Sequence, residues 1–215
     1  KKASGVSTPK DFKGKTLGVW FGGNEYPFLS WMGTLGFKTS GANPDVKVLK
    51  QGFNVDPLLQ KQADCISTMT YNEYWQVIDG GIKPENLVVF KYQDQGVATL
   101  EDGLYVLGPK LKDPAFVTRM GKFVAASMKG WEYALKNQDE AVKIVLAADT
   151  SGGSTAAVQK RQLENVAKLI TVANGPKMGY LEPAAYQRTV KVLLAGGSDP
   201  VIKKDPGPDA WTHAV

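Results

Sequence analysis

The chain has 215 residues, of which 43% are hydrophobic and 22% charged, and this composition predicts a globular protein with a packed core. Its net charge of +5 comes from scattered basic residues without a run of like charges, which argues against a nucleic-acid partner. With one cysteine, Cys65, and one histidine, His213, the chain lacks material for a disulfide framework, a zinc site or histidine-dependent catalysis.

The first predicted elements are a strand, a glycine turn and a helix. Thr16–Phe21 is a short apolar run of β-favouring residues, which predicts a buried strand, and Gly22-Gly23 follow it as a turn. Asn24 stands at the N-cap position of a helix with an apolar stripe over residues 28–32. Ligands of open α/β sheets bind at the turn after a strand, so this turn is the first candidate site.

Three more strands and two more helices are predicted before residue 94. They are a strand over Asp45–Gln51, a helix over Asp56–Gln62, a strand over Ala63–Met69, a helix over Tyr71–Ile78 and a fourth strand over Leu87–Tyr92. Strands that alternate with helices in this way predict βαβ units and a mostly parallel sheet.

Beyond residue 94 the pattern predicts four helices and one strand. They are a strand over Asp102–Leu107 and helices that begin at Asp113-Pro114 and cover Gln138–Ala148, Thr155–Ile170 and Glu182–Ala195, the last ended by Gly196-Gly197. A lone strand has no ladder partner. The element count therefore leaves two alternatives: this strand pairs into the first sheet, or the chain is a fragment whose partner strands lie before Lys1.

Several stretches, taken in order, resemble one family, the substrate-binding proteins of ABC importers in the branch for thiamine pyrimidine precursors and sulfonates. Residues 11–19 (DFKGKTLGV) resemble the start of that family's second lobe, and residues 62–66 (QADCI) and 68–73 (TMTYNE) resemble a strand and ligand-facing loop within it. Residues 130–141 resemble a helix pair of the first lobe. Residues 20–28 (WFGGNEYPF) resemble the thiamine-precursor subgroup in particular.

The resemblance implies an α/β fold of the periplasmic-binding-protein-like clamshell class (type II), with two lobes joined by a hinge. By this analogy, residues 1–94 form the second α/β lobe with a hinge strand, and residues 95–215 form the mostly helical C-terminal part of the first lobe. Roughly 100 residues of the first lobe, a normal share of a small domain, would precede Lys1. We therefore expect a truncated chain, which the missing N-terminal segment or a second copy would complete.

Two turns and one acidic segment supply the candidate ligand-binding residues. Helix N-termini bind polar ligands, aromatic rings stack on flat heterocycles, and a carboxylate accepts hydrogen bonds from an aminopyrimidine. The candidates are Trp20, Gly22, Gly23, Asn24, Glu25, Tyr26, Tyr71, Asn72 and Glu101. Core packing, turn formation and an exposed hinge acid are the alternative interpretations of these residues. Since no nucleophile with a base beside it is found, binding is preferred to catalysis, and neither a metal nor a cofactor is expected.

The function implied by the resemblance is that of a periplasmic or extracellular solute-binding subunit. It would capture a small molecule, such as a flat thiamine pyrimidine precursor, by hinge closure and deliver it to the ABC permease and ATPase subunits. A sulfonate or nitrate ligand is the first alternative, because helix N-termini and hydroxyls also suit anions. A sensor domain on the same clamshell is another alternative. A pyrimidine-precursor synthase of the same fold is a further alternative, although this chain lacks the cysteine-rich motif of that enzyme, and a phosphate-handling α/β enzyme is the last, because Gly22-Gly23 alone fall short of a P-loop.

Overall fold

The computed structural model describes residues 2–170, 177–195, 200 and 202–214. The strands are β1 (Thr16–Val19), β2 (Lys47–Lys50) and β3 (Cys65–Ile66). The α-helices are α1 (Glu25–Thr34), α2 (Asp56–Leu59), α3 (Glu73–Asp79), α4 (Pro114–Lys136), α5 (Gln138–Ala148), α6 (Ala156–Ile170) and α7 (Pro183–Leu194). Short 3-10 turns include Pro9–Phe12, Pro84–Asn86, Tyr92–Gln95 and Gly108–Lys112.

The chain divides into two compact units. Unit 1 comprises Lys1–Asp102 and Pro183–Gly207, and unit 2 comprises Gly103–Glu182 and Pro208–Val215. Unit 1 holds the sheet with α1, α2, α3 and α7, whereas unit 2 holds α4, α5 and α6. The assignment of 1–94 and 95–215 to two lobes of a clamshell stays a prediction.

The sheet of unit 1 has three parallel strands in the order β2-β1-β3. Leu17 of the central strand is paired with Val48 on one side and with Cys65 on the other. Parallel neighbours need crossover connections, and α1 and α2 provide them. The structure thus confirms the α/β class and the parallel sheet predicted from the alternation of strands and helices.

The core of unit 1 lies between the sheet, α1 and the segment around Phe90. The predicted apolar stripe of α1 is confirmed, because Phe28, Trp31 and Met32 are all buried. The Trp31 ring lies 5.1 Å from the ring of Phe12 and 5.8 Å from that of Phe90. Helix α7 adds Val192 to the same cluster. This packing fixes α1, and with it the turn that precedes α1.

Two predicted strands are wrong. In Leu87–Tyr92 the backbone is extended at Leu87 and Lys91, but within the described residues it joins no ladder, and a 3-10 turn begins at Tyr92. Its apolar pattern instead reflects side-chain packing, since Phe90 lies against Phe12. Asp102–Leu107 also forms no strand: these residues are exposed, Tyr105 to 85%, and no described strand lies beside them.

The predicted helices are confirmed, with boundaries that shift by a few residues. Helix α4 begins at Pro114 as expected, and the side chain of Asp113 caps it by accepting a hydrogen bond from the backbone N–H of Ala115 at 2.9 Å. Helix α7 extends to Leu194, and its predicted stop at Gly196-Gly197 lies outside the described residues.

Gly18 in the central strand offers a test of the packing of the sheet. A Cβ atom at this position would lie 3.0 Å from Oε1 of Gln51 and 3.0 Å from Cγ2 of Ile66. We expect Gly18→Ala to lower the free energy of unfolding by about 1–2 kcal/mol, because the added methyl group must push packed neighbours apart. Urea unfolding followed by circular dichroism measures the change.

Gly130 in α4 provides the matched control, for which the expected change in the free energy of unfolding has the opposite sign. A Cβ atom there meets no other group within 4 Å, and alanine is favoured over glycine in a helix interior by about 1 kcal/mol. Gly130→Ala is therefore expected to stabilise the protein. A Gly18→Ala protein as stable as the unchanged protein would contradict the packing described for β1.

Candidate functional site

Three loops follow the carboxyl ends of the strands in unit 1. They are residues 20–24 after β1, residues 51–55 after β2 and residues 67–72 after β3, and we call them together the carboxyl edge. The strand order β2-β1-β3 places the loop after β1 between the other two. Carboxyl ends of parallel strands are the usual ligand-binding edge of such sheets. Eight of the nine predicted site residues lie in these loops or in the first turns of the helices that follow them.

Trp20 at the start of the first loop ties two loops together. Its side chain is buried, and its indole Nε1–H donates to the carbonyl of Gly52 at 3.0 Å. The next residue, Phe21, is 45% exposed and is not the core residue that its place in the predicted strand suggested. Trp20 therefore fixes the loop after β2 relative to the loop after β1.

The turn before α1 is formed by two glycines in the left-handed region of the backbone. Gly22 has φ of 91° and Gly23 has φ of 125°, values that residues with a Cβ atom rarely adopt. The backbone N–H of Gly23 donates to Oε2 of Glu25 at 2.7 Å. Asn24 occupies the N-cap position and is exposed, but its side chain makes no capping hydrogen bond. A carboxylate from within the chain thus takes the N–H that an anionic ligand would use.

Gln51 is a buried polar residue that connects the loops after β2 and β3 with the end of β1. Its Nε2 donates to the carbonyl of Ser67 at 2.9 Å and to that of Asn54 at 3.3 Å, and its Oε1 accepts from the N–H of Ser67 at 2.9 Å. The backbone N–H of Gln51 donates to the carbonyl of Val19 at 2.9 Å. One residue therefore holds the ends of β2 and β3 beside that of β1.

The loop after β3 is stabilised by a buried carboxylate. Glu73 is 6% exposed, and its Oε2 accepts from the backbone N–H of Met69 at 3.0 Å. Its Oε1 accepts from Nδ2 of Asn72 at 3.0 Å, and Oδ1 of Asn72 accepts from Nε2 of Gln76 at 3.2 Å. The amide of Asn72 therefore stabilises the start of α3, which is a structural task that the sequence did not reveal.

Tyr71, Tyr92 and Glu101 share one electrostatic environment. Burial, followed by the carboxylates of Glu101, Asp102 and Glu73, raises the pKa of Tyr71. Burial also raises the pKa of Tyr92 to about 12, with Ser67 opposing the shift as a hydrogen-bond partner and Glu101 adding to it. Partial desolvation and then the neighbouring Asp102 raise the pKa of Glu101 itself. Two predicted site residues, Tyr71 and Glu101, thus interact electrostatically.

The charge at the carboxyl edge and the helix starts beside it is one-sided. Residues 20–26, 51–56 and 67–75, all within the described part of the chain, contain the carboxylates of Glu25, Asp56 and Glu73 but neither lysine nor arginine. Glu73 is buried and both its oxygens accept from within the chain, so Glu25 and Asp56 are the carboxylates left as hydrogen-bond acceptors, and the loops also carry aromatic rings that stack on planar groups. This combination suits a ligand that is flat and donates hydrogen bonds.

The structure places the predicted site residues in two groups. Those of the first turn lie within residues 20–26, and Tyr71 and Asn72 lie at the start of α3, where the charge of Glu101 acts on Tyr71. Sequence reasoning missed Gln51, Phe53 and Ser67. Phe53 was detectable, because it is an aromatic residue between Gly52 and Asn54, in a turn that needs no core residue. The ligand contacts of all these residues stay predictions.

The cysteine and the histidine lie apart from this chemistry. Burial raises the pKa of the Cys65 thiol to about 11, so the thiol is protonated at neutral pH and is a poor nucleophile. His213 belongs to unit 2, where its Nε2 lies 2.7 Å from the carbonyl oxygen of Leu181. Among the described residues, no group of three histidine, cysteine or acidic side chains is arranged to hold a metal ion.

Comparisons with known proteins give one family. The family model described as NMT1/THI5 like matches residues 1–141. None of the curated proteins matches the chain. The family is known mostly for substrate-binding proteins for sulfonates, nitrate or thiamine precursors, and these are typically periplasmic or extracellular, whereas THI5 itself is synthase-like. In the described part of the chain, no helix is both long and apolar enough to cross a membrane.

Proposed function

Because the chain belongs to the NMT1/THI5-like family, we propose that it is the solute-binding subunit of an ABC importer. Its ligand is a flat heterocycle, such as a thiamine pyrimidine precursor, bound at the carboxyl edge without chemical change. The observation that carries this proposal is the combination of aromatic side chains in the three loops with the carboxylate of Glu25 at the start of α1, where the loops have no basic residue.

The proposed ligand-binding residues act through hydrogen bonding and stacking. A carboxylate has about four acceptor positions, so Glu25 keeps room for ligand amino groups after accepting from Gly23. Tyr71 stacks on the ligand ring, and Glu101 accepts from a second donor. Glycine at 22 and 23 allows the ligand to approach the main chain closely. The full proposed set remains Trp20, Gly22, Gly23, Asn24, Glu25, Tyr26, Tyr71, Asn72 and Glu101.

A sulfonate or nitrate ligand is disfavoured by the same geometry. An anion at the start of α1 would need the N–H of Gly23, which already donates to Oε2 of Glu25. It would also lie beside that carboxylate, and like charges at close range repel. No lysine or arginine in the three loops offsets this repulsion.

Membership of the family supports the following transport cycle, which is part of the proposal. Residues 1–94 serve as the second lobe and residues 95–215 as part of the first, and ligand binding favours the closed arrangement of the lobes. The closed form docks on the permease outside the cytoplasm, and the ATPase drives release. This protein supplies recognition only, so it needs no cofactor.

Replacing Glu25 tests the proposal. We expect the unchanged protein to bind hydroxymethylpyrimidine in isothermal titration calorimetry, and Glu25→Gln to weaken this binding about 10-fold, because a charge-assisted hydrogen bond becomes a neutral one. The glutamine Oε1 can still accept from Gly23, so the turn is kept. Glu85→Gln, in the exposed 3-10 turn Pro84–Asn86, is the control and should change nothing.

The same titration decides between the ligand classes. Taurine and nitrate are measured beside hydroxymethylpyrimidine on the same protein. If the anions bind, the heterocycle does not, and Glu25→Gln strengthens anion binding, the sulfonate or nitrate alternative replaces the proposal.

A further inference from the structure

Phe53, in the loop after β2, has an aromatic side chain that is 88% exposed. It is the most exposed of the large hydrophobic side chains of the described residues. Burying a phenylalanine side chain contributes about 1.5–3 kcal/mol, and this position forgoes nearly all of that contribution. The ring therefore does little for the stability of unit 1.

The backbone on both sides of Phe53 is nevertheless held in place. The carbonyl of Gly52 accepts from Nε1 of Trp20 at 3.0 Å, and the carbonyl of Asn54 accepts from Nε2 of Gln51 at 3.3 Å. The side chain of Asn54 also accepts from the N–H of Asp56 at 3.1 Å. The loop thus presents an exposed aromatic ring from a fixed main chain.

The strand register places the loop that carries Phe53 next to the glycine turn. Val19 of β1 is paired with Lys50 of β2, so Gly22 and Phe53 each lie three residues beyond a paired residue on neighbouring strands. A Cβ atom at Gly22 or Gly23 would meet no atom within 4 Å, so the space over the turn is open. The hydrogen bond from Nε1 of Trp20 to the carbonyl of Gly52 ties the loop that carries Phe53 to the loop that forms this open turn.

We propose that Phe53 is a specificity-determining residue whose ring stacks on the planar ring of the ligand over Gly22 and Gly23. This inference rests on the proposed function and adds to it a residue of a third loop, outside the predicted set. Stacking on phenylalanine selects aromatic heterocycles over tetrahedral or aliphatic solutes, because only a flat π-system gains the offset or edge-to-face contact. The loop after β2 thereby takes part in ligand recognition.

A series of substitutions at Phe53 separates stacking from general apolarity. Binding of hydroxymethylpyrimidine to the full chain is measured by calorimetry. We expect Phe53→Ala and Phe53→Leu to raise Kd about 10-fold, and Phe53→Trp to keep it within about 3-fold, since tryptophan retains a stacking face. All three should unfold at the urea midpoint of the unchanged protein, because the side chain is exposed.

Phe123→Ala is the matched control, because Phe123 in α4 is also exposed, at 54%, and belongs to unit 2. It should leave Kd unchanged. If the unchanged protein binds the heterocycle and the alanine or leucine variant of Phe53 binds it equally well, the role of Phe53 is overturned while the proposed function stands. If the unchanged protein binds no heterocycle, the proposed function is overturned, and the role of Phe53 is overturned with it.

Discussion

Replacing Trp31 by alanine should lower the free energy of unfolding by about 3–5 kcal/mol, which is the largest effect that we expect for a single substitution in the core of unit 1. Trp31 is 6% exposed and lies in the aromatic cluster that joins α1 to the rest of unit 1. Its ring centroid is 5.1 Å from that of Phe12, 5.8 Å from that of Phe90 and 6.0 Å from that of Tyr92. Alanine would remove these contacts and leave a cavity that a packed core fills only in part.

Trp131→Ala is the control for this substitution. Trp131 lies in α4, and its side chain is 41% exposed, so its loss should cost about 1 kcal/mol or less. Far-UV circular dichroism in urea measures both variants without relying on tryptophan fluorescence. Equal losses in the two variants would show that the cluster around Trp31 does not dominate the stability of the protein.

The burial of Trp31 was predictable because it depends on local pattern. An apolar stripe at spacings of three and four residues places Phe28, Trp31 and Met32 on one helix face, and a sheet nearby requires that face to be the buried one. The strand before it, predicted from Thr16 and found as β1 from the same residue, follows from an equally local apolar run. In both cases, residues that are adjacent in the sequence are enough to predict the element.

The predictions that failed depend on distant partners. The run at Leu87–Tyr92 is apolar enough for a strand, but a ladder also needs a neighbouring backbone, and the sequence does not say whether one is available. Phe90 is instead held by side-chain contacts with residues that are far away along the chain, such as Phe12 and Trp31. Side-chain burial and ladder pairing produce the same pattern in the sequence.

In the candidate site, too, a feature set by neighbouring residues was found from the sequence, whereas contacts with distant residues were not. Sequence identified the glycine turn, because two glycines after a strand and before a helix form a local signal. The assignment of Asn72 to the ligand stays a prediction, but the sequence did not show that the amide of Asn72 is bonded to Glu73 and Gln76. It also missed Gln51, since the hydrogen bonds of a buried glutamine to main-chain groups sixteen residues away leave no trace in spacing or composition.

Gln51 therefore supports the second large prediction. Gln51→Leu should lower the free energy of unfolding by about 2–3 kcal/mol, because leucine fills similar space but cannot donate to the carbonyls of Ser67 and Asn54. The N–H of Ser67 keeps a partner in the carbonyl of Gly18 at 3.0 Å, which limits the loss. Urea unfolding measures the change, and Gln62→Leu at an exposed position should stay within about 0.5 kcal/mol of the unchanged protein.

The same substitution links stability to recognition. Gln51 holds the loop that carries Phe53 beside the loop that leads to Tyr71, so both proposed stacking rings depend on its hydrogen bonds. We expect Gln51→Leu to weaken binding of hydroxymethylpyrimidine under conditions where the variant remains folded, even though its side chain is buried and the ligand is not expected to touch it. Unchanged affinity in a destabilised but folded variant would mean that the glycine turn and Glu25 bind the ligand without the two outer loops. Alternatively, affinity and stability are both lost in Gln51→Leu and in Gly18→Ala, in proportion to each other. This result would show that recognition requires the register of the three strand ends.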